Sequence, residues 1–501
     1  MSLRSSNHKL TCSLGIDVGT SAVKALLAAD DGSVAASASA PCAVQHPAPG
    51  WAEVHPRHWW QAAVHAVRAL DPAGRGVCVR GIGISVLYPA LVLFDEAMQP
   101  LRPAILYCDQ RSAAESQALL TYYGEREARK LTGNLFPAGS TSITSLLWLR
   151  RREPDVIRRA AWIGHADTFI VWRLAGERTI DFSSASLTGL CDAGRNTWCG
   201  ELCEIAGVKP GQLPRLLPGT AVAGQLSAQA ADELGLPAGL PVAAGAGDTA
   251  CSVLGVGAGG PDELFLSCGS TNNFVRLADQ PQFDNGLVNT SYLDAHHWLN
   301  VGTTNASGAA VQWFVDTYLG PGEYERFFAL CAASKPGAGG IIFVPYLAGE
   351  RTPWYDPRAK AMFFGVTASS TLADTARSVA EGVCYADRHI LETFERPGRA
   401  VQKILATGGG NRSEVMRRIR TDITGREIVF SGMADASAYG AALLGAIAGG
   451  RFAGWQDAAA VARTFAQGSA LRPDAETGRS YENAYRIYTQ LYPRMRDLYL
   501  P

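Results

Sequence analysis

The chain has 501 residues, of which 47% are hydrophobic and 18% are charged, a composition that excludes a disordered chain and leaves room for about two or three domains. Its formal net charge is -1, from 45 Lys and Arg against 46 Asp and Glu, so no basic field exists to hold a nucleic acid. No apolar run is long enough to span a membrane, and the start MSLRSSNHKL lacks the apolar core of a signal peptide. Cysteines lie inside apolar runs, as in Ala250-Cys251-Ser252-Val253-Leu254, which reads as buried thiols in a reducing compartment and predicts a cytoplasmic protein.

Elements in chain order divide the sequence into two long halves. The first runs from about residue 11 to about 253 and opens with a strand pattern, Leu14-Gly15-Ile16-Asp17-Val18, that breaks at Gly19-Thr20-Ser21. Ala22 to Ala29 is apolar again and ends at Asp30-Asp31-Gly32, so a hairpin is expected rather than a helix. After Pro56, helical spacing places Trp60, Val64 and Val67 on one face. Residues 81–85 and 91–94 read as further strands, whereas 140–150 and 167–174 have helix-like spacing. The 131–230 region has no clear division. The segment Leu240 to Asp248 reads as a strand ending at a carboxylate.

The second half repeats the opening. Residues 262–267 alternate and break at Cys268-Gly269-Ser270-Thr271, an echo of the first hairpin that predicts two related lobes facing one another. A strand at 404–407 leads into Gly408-Gly409-Gly410, with Asn411 and Ser413 as candidate caps for a helix from Glu414. A strand at 427–430 then precedes a small-residue helix from Ala436 to Ala448. Strands alternating with helices indicate α/β layers in both halves.

The chemistry-bearing candidates sit at these strand ends. Asp17 is a carboxylate in an apolar strand, whose burial costs several kcal/mol unless a partner such as a hydrated Mg2+ compensates it. The turn Gly19-Thr20-Ser21 offers amides and hydroxyls to phosphate oxygens, with Lys24 near enough to add charge; a capped, exposed turn is the alternative. Asp248, at a strand end, is placed to accept a hydroxyl proton, or simply to cap the following helix. Gly408-Gly409-Gly410 allows close backbone approach to a ligand, and Asn411 stands beside it. For a hydroxylated acceptor the candidates are Trp51, Glu53, Tyr88, Tyr107 and Asp109, aromatic faces and carboxylates suited to sugar C–H and O–H groups. Asp109 has the simpler option of pairing with Arg111.

Other motifs are rejected on context. Gly255-x-Gly257-x-x-Gly260 ends a helical stretch instead of opening one, so it is no dinucleotide fingerprint. Walker A, H-R-D and G-x-S-x-G patterns are absent. Cys191, Cys199 and Cys203 lack metal-knuckle spacing, and the histidines form no zinc pattern.

Together the quoted segments, with Gly50-Trp51-Ala52-Glu53, Gly245-Ala246-Gly247-Asp248 and Asp435-Ala436-Ser437-Ala438-Tyr439-Gly440, resemble the FGGY carbohydrate kinase family across nearly the whole chain. The resemblance implies an α/β fold of two actin-like, ribonuclease-H-like domains around a central cleft. It divides the chain into an N-terminal domain (11–253) for sugar binding and the base, a nucleotide-binding domain (254–460), and a helical extension (461–501). It implies ATP and Mg2+, with Asp17 at the metal and phosphate site and Asp248 as catalytic base. Gly269, Ser270 and Thr271 would form the second phosphate turn, and Gly409, Gly410 and Asn411 would lie against adenosine.

Residues 101–111 resemble the xylulokinase subgroup, whose acceptor is D-xylulose. One departure matters: that subgroup carries Met-His where this chain has Tyr88-Pro89, and proline has no hydrogen to donate. Another ketose or polyol, such as L-ribulose, L-fuculose, glycerol or erythritol, therefore stays open. An actin-like ATPase switch or filament module is the alternative of another class. The partners expected are a small sugar or polyol and ATP, with no nucleic acid or membrane; a homodimer is the family's common habit.

Overall fold

The computed structural model describes residues 10–499 apart from 193, 261, 283–285 and 396–398, so most of the amino-terminal segment read for a signal peptide lies outside it. The first half is built on strands β1 (Leu10–Val18), β2 (Ala22–Ala29), β3 (Val34–Pro41), β4 (Val77–Val86), β5 (Val222–Gln225) and β6 (Pro241–Ala243). β1, β2 and β3 form an antiparallel meander; β4 joins β1 in parallel, β6 joins β4 in parallel, and β5 closes the edge antiparallel. Seven of the nine residues of β1 are buried, because the strand is central and covered on both faces. That placement explains a continuous apolar run instead of strict alternation.

The second half contains β7 (Glu263–Cys268), β8 (Asn272–Ala278), β9 (Val288–Ser291), β10 (Trp298–Thr304), β11 (Lys403–Thr407), β12 (Glu427–Ser431) and β13 (Gly468–Leu471). β7, β8 and β10 repeat the meander, β11 and β12 add in parallel, and β13 closes the edge antiparallel. The echo between the two small polar turns is therefore topological: each joins the first two strands of its sheet. In the first, the Gly19 amide donates to the Ala22 carbonyl at 3.0 Å; in the second, the Gly269 amide donates to the Thr271 carbonyl at 2.9 Å.

The predicted helices appear with shifted ends. Helix α1 (Pro56–Leu70) buries Trp60 and Val67 as expected, but Val64 is only partly covered. Trp59, Ala63 and Ala66 carry more of the buried face. The unclear 131–230 region contributes helices Ser142–Arg152 and Ala166–Ala175; the first shares an apolar core with Leu91, Leu93 and Leu119, and the second packs into the main core of the first half. Residues 461–501 are not purely helical: they open inside the helix Trp455–Phe465, and β13 then pairs with β12 before the helix Ala475–Met495 begins.

Four further helices matter for the site: α2 (Asp248–Gly255), α3 (Leu372–Glu395), α4 (Glu414–Thr424) and α5 (Ala436–Ala448). α5 belongs to the second half in sequence, yet it packs on β1 and β4 of the first sheet and on α2. Small residues make that approach possible. A Cβ on Gly83 would sit 1.9 Å from the Ala441 carbonyl oxygen, one on Gly15 2.2 Å from that of Ala438, and one on Gly440 1.9 Å from that of Cys251. These atoms are all backbone, so no rotamer change relieves the clash. Gly83→Val is expected to cost about 3 kcal/mol of stability, read by urea denaturation. Gly211→Ala, at a position with open space around it, should shift the midpoint little.

Candidate active site

Asp17 and Asp248 converge because the sheet register brings them together. Asp17 lies across from Ser85 on β4, and Ser85 pairs in turn with Ala246. Gly247 follows, and Asp248 opens α2. Both carboxylates thus stand at the carboxyl ends of parallel strands on either side of β4, where α/β sheets form their sites. Leu240 to Asp248 is not one continuous strand: β6 breaks at Gly245, which has φ 88°, and Ala246–Gly247 rejoins the sheet.

Asp17 is 6% exposed, and both its oxygens are engaged. Ser85 Oγ donates to Oδ1 at 2.6 Å and Ser437 Oγ, from α5, donates to Oδ2 at 2.7 Å. Burial outweighs these bonds and pushes the carboxyl above its ordinary range. Asp248 is raised to about 6, first by burial and then by the Asp17 charge. It is not the cap of α2, since Gly247 occupies that position. Asp248 is therefore free of the simplest structural role its sequence allowed.

The residue before Asp248 is held from both sides. A Cβ on Gly247 would strike the Tyr88 ring at 2.2 Å, so the ring lies flush against this backbone. The Gly247 amide donates to Ser183 Oγ at 2.9 Å, and Ser183 Oγ donates to Asp181. Asp181 also accepts from the Ser184 hydroxyl at 2.6 Å. Burial raises the carboxyls of Asp181 and its neighbour Asp167.

Asp248, Tyr88 and Tyr107 border a cavity of about 240 Å³ lined from both halves. Thr271, Asn273, Thr303 and Arg351 complete it from the second half. The Tyr88 hydroxyl stands among Thr249, Thr290 and the Asp248 carboxylate, while the Tyr107 hydroxyl meets Thr20 of the first turn. Burial raises both phenols.

Three of the acceptor candidates are absent from this wall, and Arg111 is the reason. Asp109 Oδ1 accepts from the Arg111 amide at 2.9 Å and from its Nε at 2.8 Å. Oδ2 accepts from Arg111 Nη2 at 2.7 Å and from the Ala52 amide at 2.6 Å. Glu53 Oε1 pairs with Arg111 Nη1 at 2.7 Å and Arg102 Nη2 at 2.5 Å, and the Arg111 guanidinium lies 3.7 Å from the Trp51 ring centroid. Trp51, Glu53 and Asp109 thus brace the loop that carries Tyr107, the alternative open for Asp109 from the start.

A second cavity, about 890 Å³, borders the glycine turn of the second half. Gly269, Ser270, Gly409 and Gly410 line it, as does Ser413. Thr271 faces the smaller cavity instead, on the far side of its turn. Gly408 has φ 95° and lies against Cys268, where a Cβ would come within 2.2 Å of a carbonyl oxygen. It closes the turn without bordering either cavity. Asn411 is turned inward: its Nδ2 donates to the Thr407 carbonyl at 2.9 Å and its Oδ1 accepts from Arg420. Ser413 caps α4. Lys24 pairs with Asp435 at 2.6 Å, so its charge is already matched. Gly19, Thr20 and Ser21 form the hairpin tip next to Asp17, with Ser21 exposed.

Sequence reading missed several lining residues. Asn273, Thr303 and Arg351 reach the smaller cavity, and Ser307, Tyr324 and Arg412 reach the larger one. The charged pair Glu350-Arg351 just after an apolar strand was a signal of the kind that singled out Asp17; the others sit in ordinary polar surroundings and carry none.

Among the described residues, no helix is long and apolar enough to cross a membrane. The model of the FGGY carbohydrate kinase N-terminal domain matches residues 12–255, and that of the C-terminal domain matches 264–449. The xylulose kinase of Escherichia coli (strain K12) is 31% identical over 438 residues, covering 87% of this chain and 90% of that protein. The gluconokinase of Bacillus subtilis (strain 168) is 30% identical over 451 residues, covering 87% of this chain and 88% of that protein. The crystal structure of a xylulose kinase from Rhodospirillum rubrum superposes with a TM-score of 0.90 at 30% identity, over 97% of this chain and 99% of that one. Two matched sheets, two cavities at their strand ends and these likenesses agree: the chain belongs to the FGGY family of carbohydrate kinases and is an ATP-dependent carbohydrate kinase of the actin-like, ribonuclease-H-like fold.

Proposed function

We propose that the chain phosphorylates D-xylulose to D-xylulose 5-phosphate, with the smaller cavity as acceptor site and the larger one as nucleotide site. The observation that carries this reading is Asp248 on the wall of the smaller cavity, its carboxyl poised at about 6 by burial. At neutral pH such a carboxylate is ionised yet basic enough to accept a proton. Asp248 takes the proton of the primary hydroxyl as that oxygen meets the γ-phosphoryl group. The two hairpin turns, with Thr20 on one and Ser270 and Thr271 on the other, present hydroxyls and amides to the phosphate oxygens. The bracing of Tyr107 and Tyr88 keeps the acceptor wall fixed while this happens.

Asp17 fits a magnesium site, since a buried carboxylate at a strand end, flanked by hydroxyls, is the donor set Mg2+ uses with nucleotide phosphates. When bound, the ion would offset the charge on those phosphates. We assign residues 11–253 and 254–460 to the two domains and 461–501 to an extension, with α5 bridging to the first sheet. The reaction is expected in the cytoplasm.

The acceptor reading draws on relatives described as xylulose kinases, among them one from Klebsiella pneumoniae at 30% identity over 488 residues. Tyr88-Pro89 favours keeping a second reading, another ketose or a polyol, because the tyrosine wall offers a phenol where that subgroup has an imidazole. An ADP-release screen with D-xylulose, L-ribulose, L-fuculose, glycerol, erythritol and D-gluconate separates them. D-Xylulose is expected to give the highest kcat/KM. A higher value for any other acceptor replaces it, and ATP turnover indifferent to every acceptor would favour an ATPase switch.

A further inference from the structure

The smaller cavity is bordered by two arginines that take no part in the proposed proton transfer. Arg351 and Arg129 both border it. Arg351 Nε donates to Asn305 Oδ1 at 2.6 Å, while its terminal nitrogens have no protein acceptor among the described residues. Glu350, next in sequence, does not supply one. Its carboxylate accepts from the Asn305 amide at 2.8 Å, the Arg351 amide at 2.7 Å and Thr304 Oγ1 at 3.1 Å. Those bonds spend the carboxylate on fixing the loop backbone. Arg129 lies 5.9 Å from the ring centroid of Tyr355, another wall residue, and forms no ion pair among the described residues.

The Arg351 guanidinium is partly buried and lies near the Glu350 charge, yet its terminal nitrogens make no hydrogen bond to a carboxylate among the described residues. Its planar fork is the group best matched to two oxygens of a carboxylate or phosphate. The Tyr107 hydroxyl lies close to both Arg351 and Thr20, which sets the cation on the same side as the first hairpin turn.

We propose that Arg351, assisted by Arg129, forms an oxyanion subsite inside the acceptor cavity, which binds an anionic oxygen group of the acceptor or of its phosphorylated product. The proposal rests on the cavity being the acceptor site. No bond is made or broken there; the subsite holds two oxygens of one group. A product phosphoryl group and an acceptor carboxylate share this chemistry, and binding measurements separate them.

Isothermal titration calorimetry without ATP is run on the wild type, Arg351→Gln, Arg351→Lys and Arg129→Gln, with D-xylulose 5-phosphate, D-gluconate and neutral xylitol as probes. Arg351→Gln is expected to weaken at least one anion by about tenfold or more, while the affinity for xylitol stays within about twofold. Loss confined to the sugar phosphate assigns the subsite to the product phosphoryl group, and loss confined to gluconate assigns it to an acceptor carboxylate. Arg351→Lys keeps the charge without the fork, and should bind the affected anion at an intermediate level; it also carries the test if the glutamine variant fails to fold. Equal anion binding by wild type and both Arg351 variants overturns the proposal, as does a wild type that binds neither anion. Because no turnover is measured, failure of D-xylulose as a substrate registers separately in the acceptor screen.

Discussion

Asp248→Asn is expected to lower kcat by about 10²–10⁴-fold, the range associated with a positioned general base, while the protein folds normally. The side chain keeps its shape, and among the described residues its one side-chain hydrogen bond is from the Thr249 hydroxyl at 3.1 Å, so little of the structure depends on the charge. The loss should fall on kcat and kcat/KM together, because the interaction is made as the proton leaves the acceptor. The wild type adds a second signature. With the Asp248 carboxyl at about 6, kcat/KM should fall as pH drops below that value, since protonation removes the base. The acid limb should be missing from the residual activity of the Asn variant. Steady-state kinetics from pH 5 to 8 on both proteins reads each outcome. Unchanged turnover in the variant would remove Asp248 from the reaction.

The second large effect concerns Asp17, and its two parts have opposite signs. Asp17→Asn should abolish most Mg-ATP-dependent turnover yet raise the melting temperature. Burial lifts the Asp17 carboxyl above its ordinary range despite the serine hydroxyls on both oxygens. A group that binds its proton more tightly when folded contributes stability at low pH and loses it as pH rises through the folded value. Around neutrality the ionised side chain is therefore a cost to the fold, and a neutral amide of the same shape relieves it. The gain in melting temperature should shrink on acidification, where wild-type Asp17 is itself protonated. Differential scanning fluorimetry across pH, with and without Mg-ATP, measures both parts. A lower melting temperature at neutral pH would mean that the charge supports the fold, and normal Mg2+ dependence would remove Asp17 from the metal site. Stability conceded at a functional carboxylate is an ordinary compromise of active sites.

The acceptor wall illustrates how residue type can be read without residue role. Of the aromatic and acidic candidates, Tyr88, Tyr107 and Asp248 border the smaller cavity. Trp51, Glu53 and Asp109 have the same chemistry but turn toward Arg111, whose buried charge gathers both carboxylates and the indole face. A carboxylate looks alike in sequence whether it meets a substrate or an arginine of its own chain. The same ambiguity moved Lys24 into an ion pair with Asp435 and Asn411 into a bond with Arg420.

Local order determined the elements themselves. Burial period, turn residues and small-residue runs located β1, β2, β11 and α5, and the repeated strand–turn–strand opening anticipated two sheets of one plan, because such patterns depend on neighbours a few positions apart. Tertiary structure alone decided that α5 crosses to the first sheet, that the register of β1 and β4 sets Asp17 beside the loop of Asp248, and that Arg351 borders the smaller cavity. Each of these joins segments tens to hundreds of residues apart, where backbone approach and charge pairing are settled by packing in three dimensions and leave no periodicity in the chain.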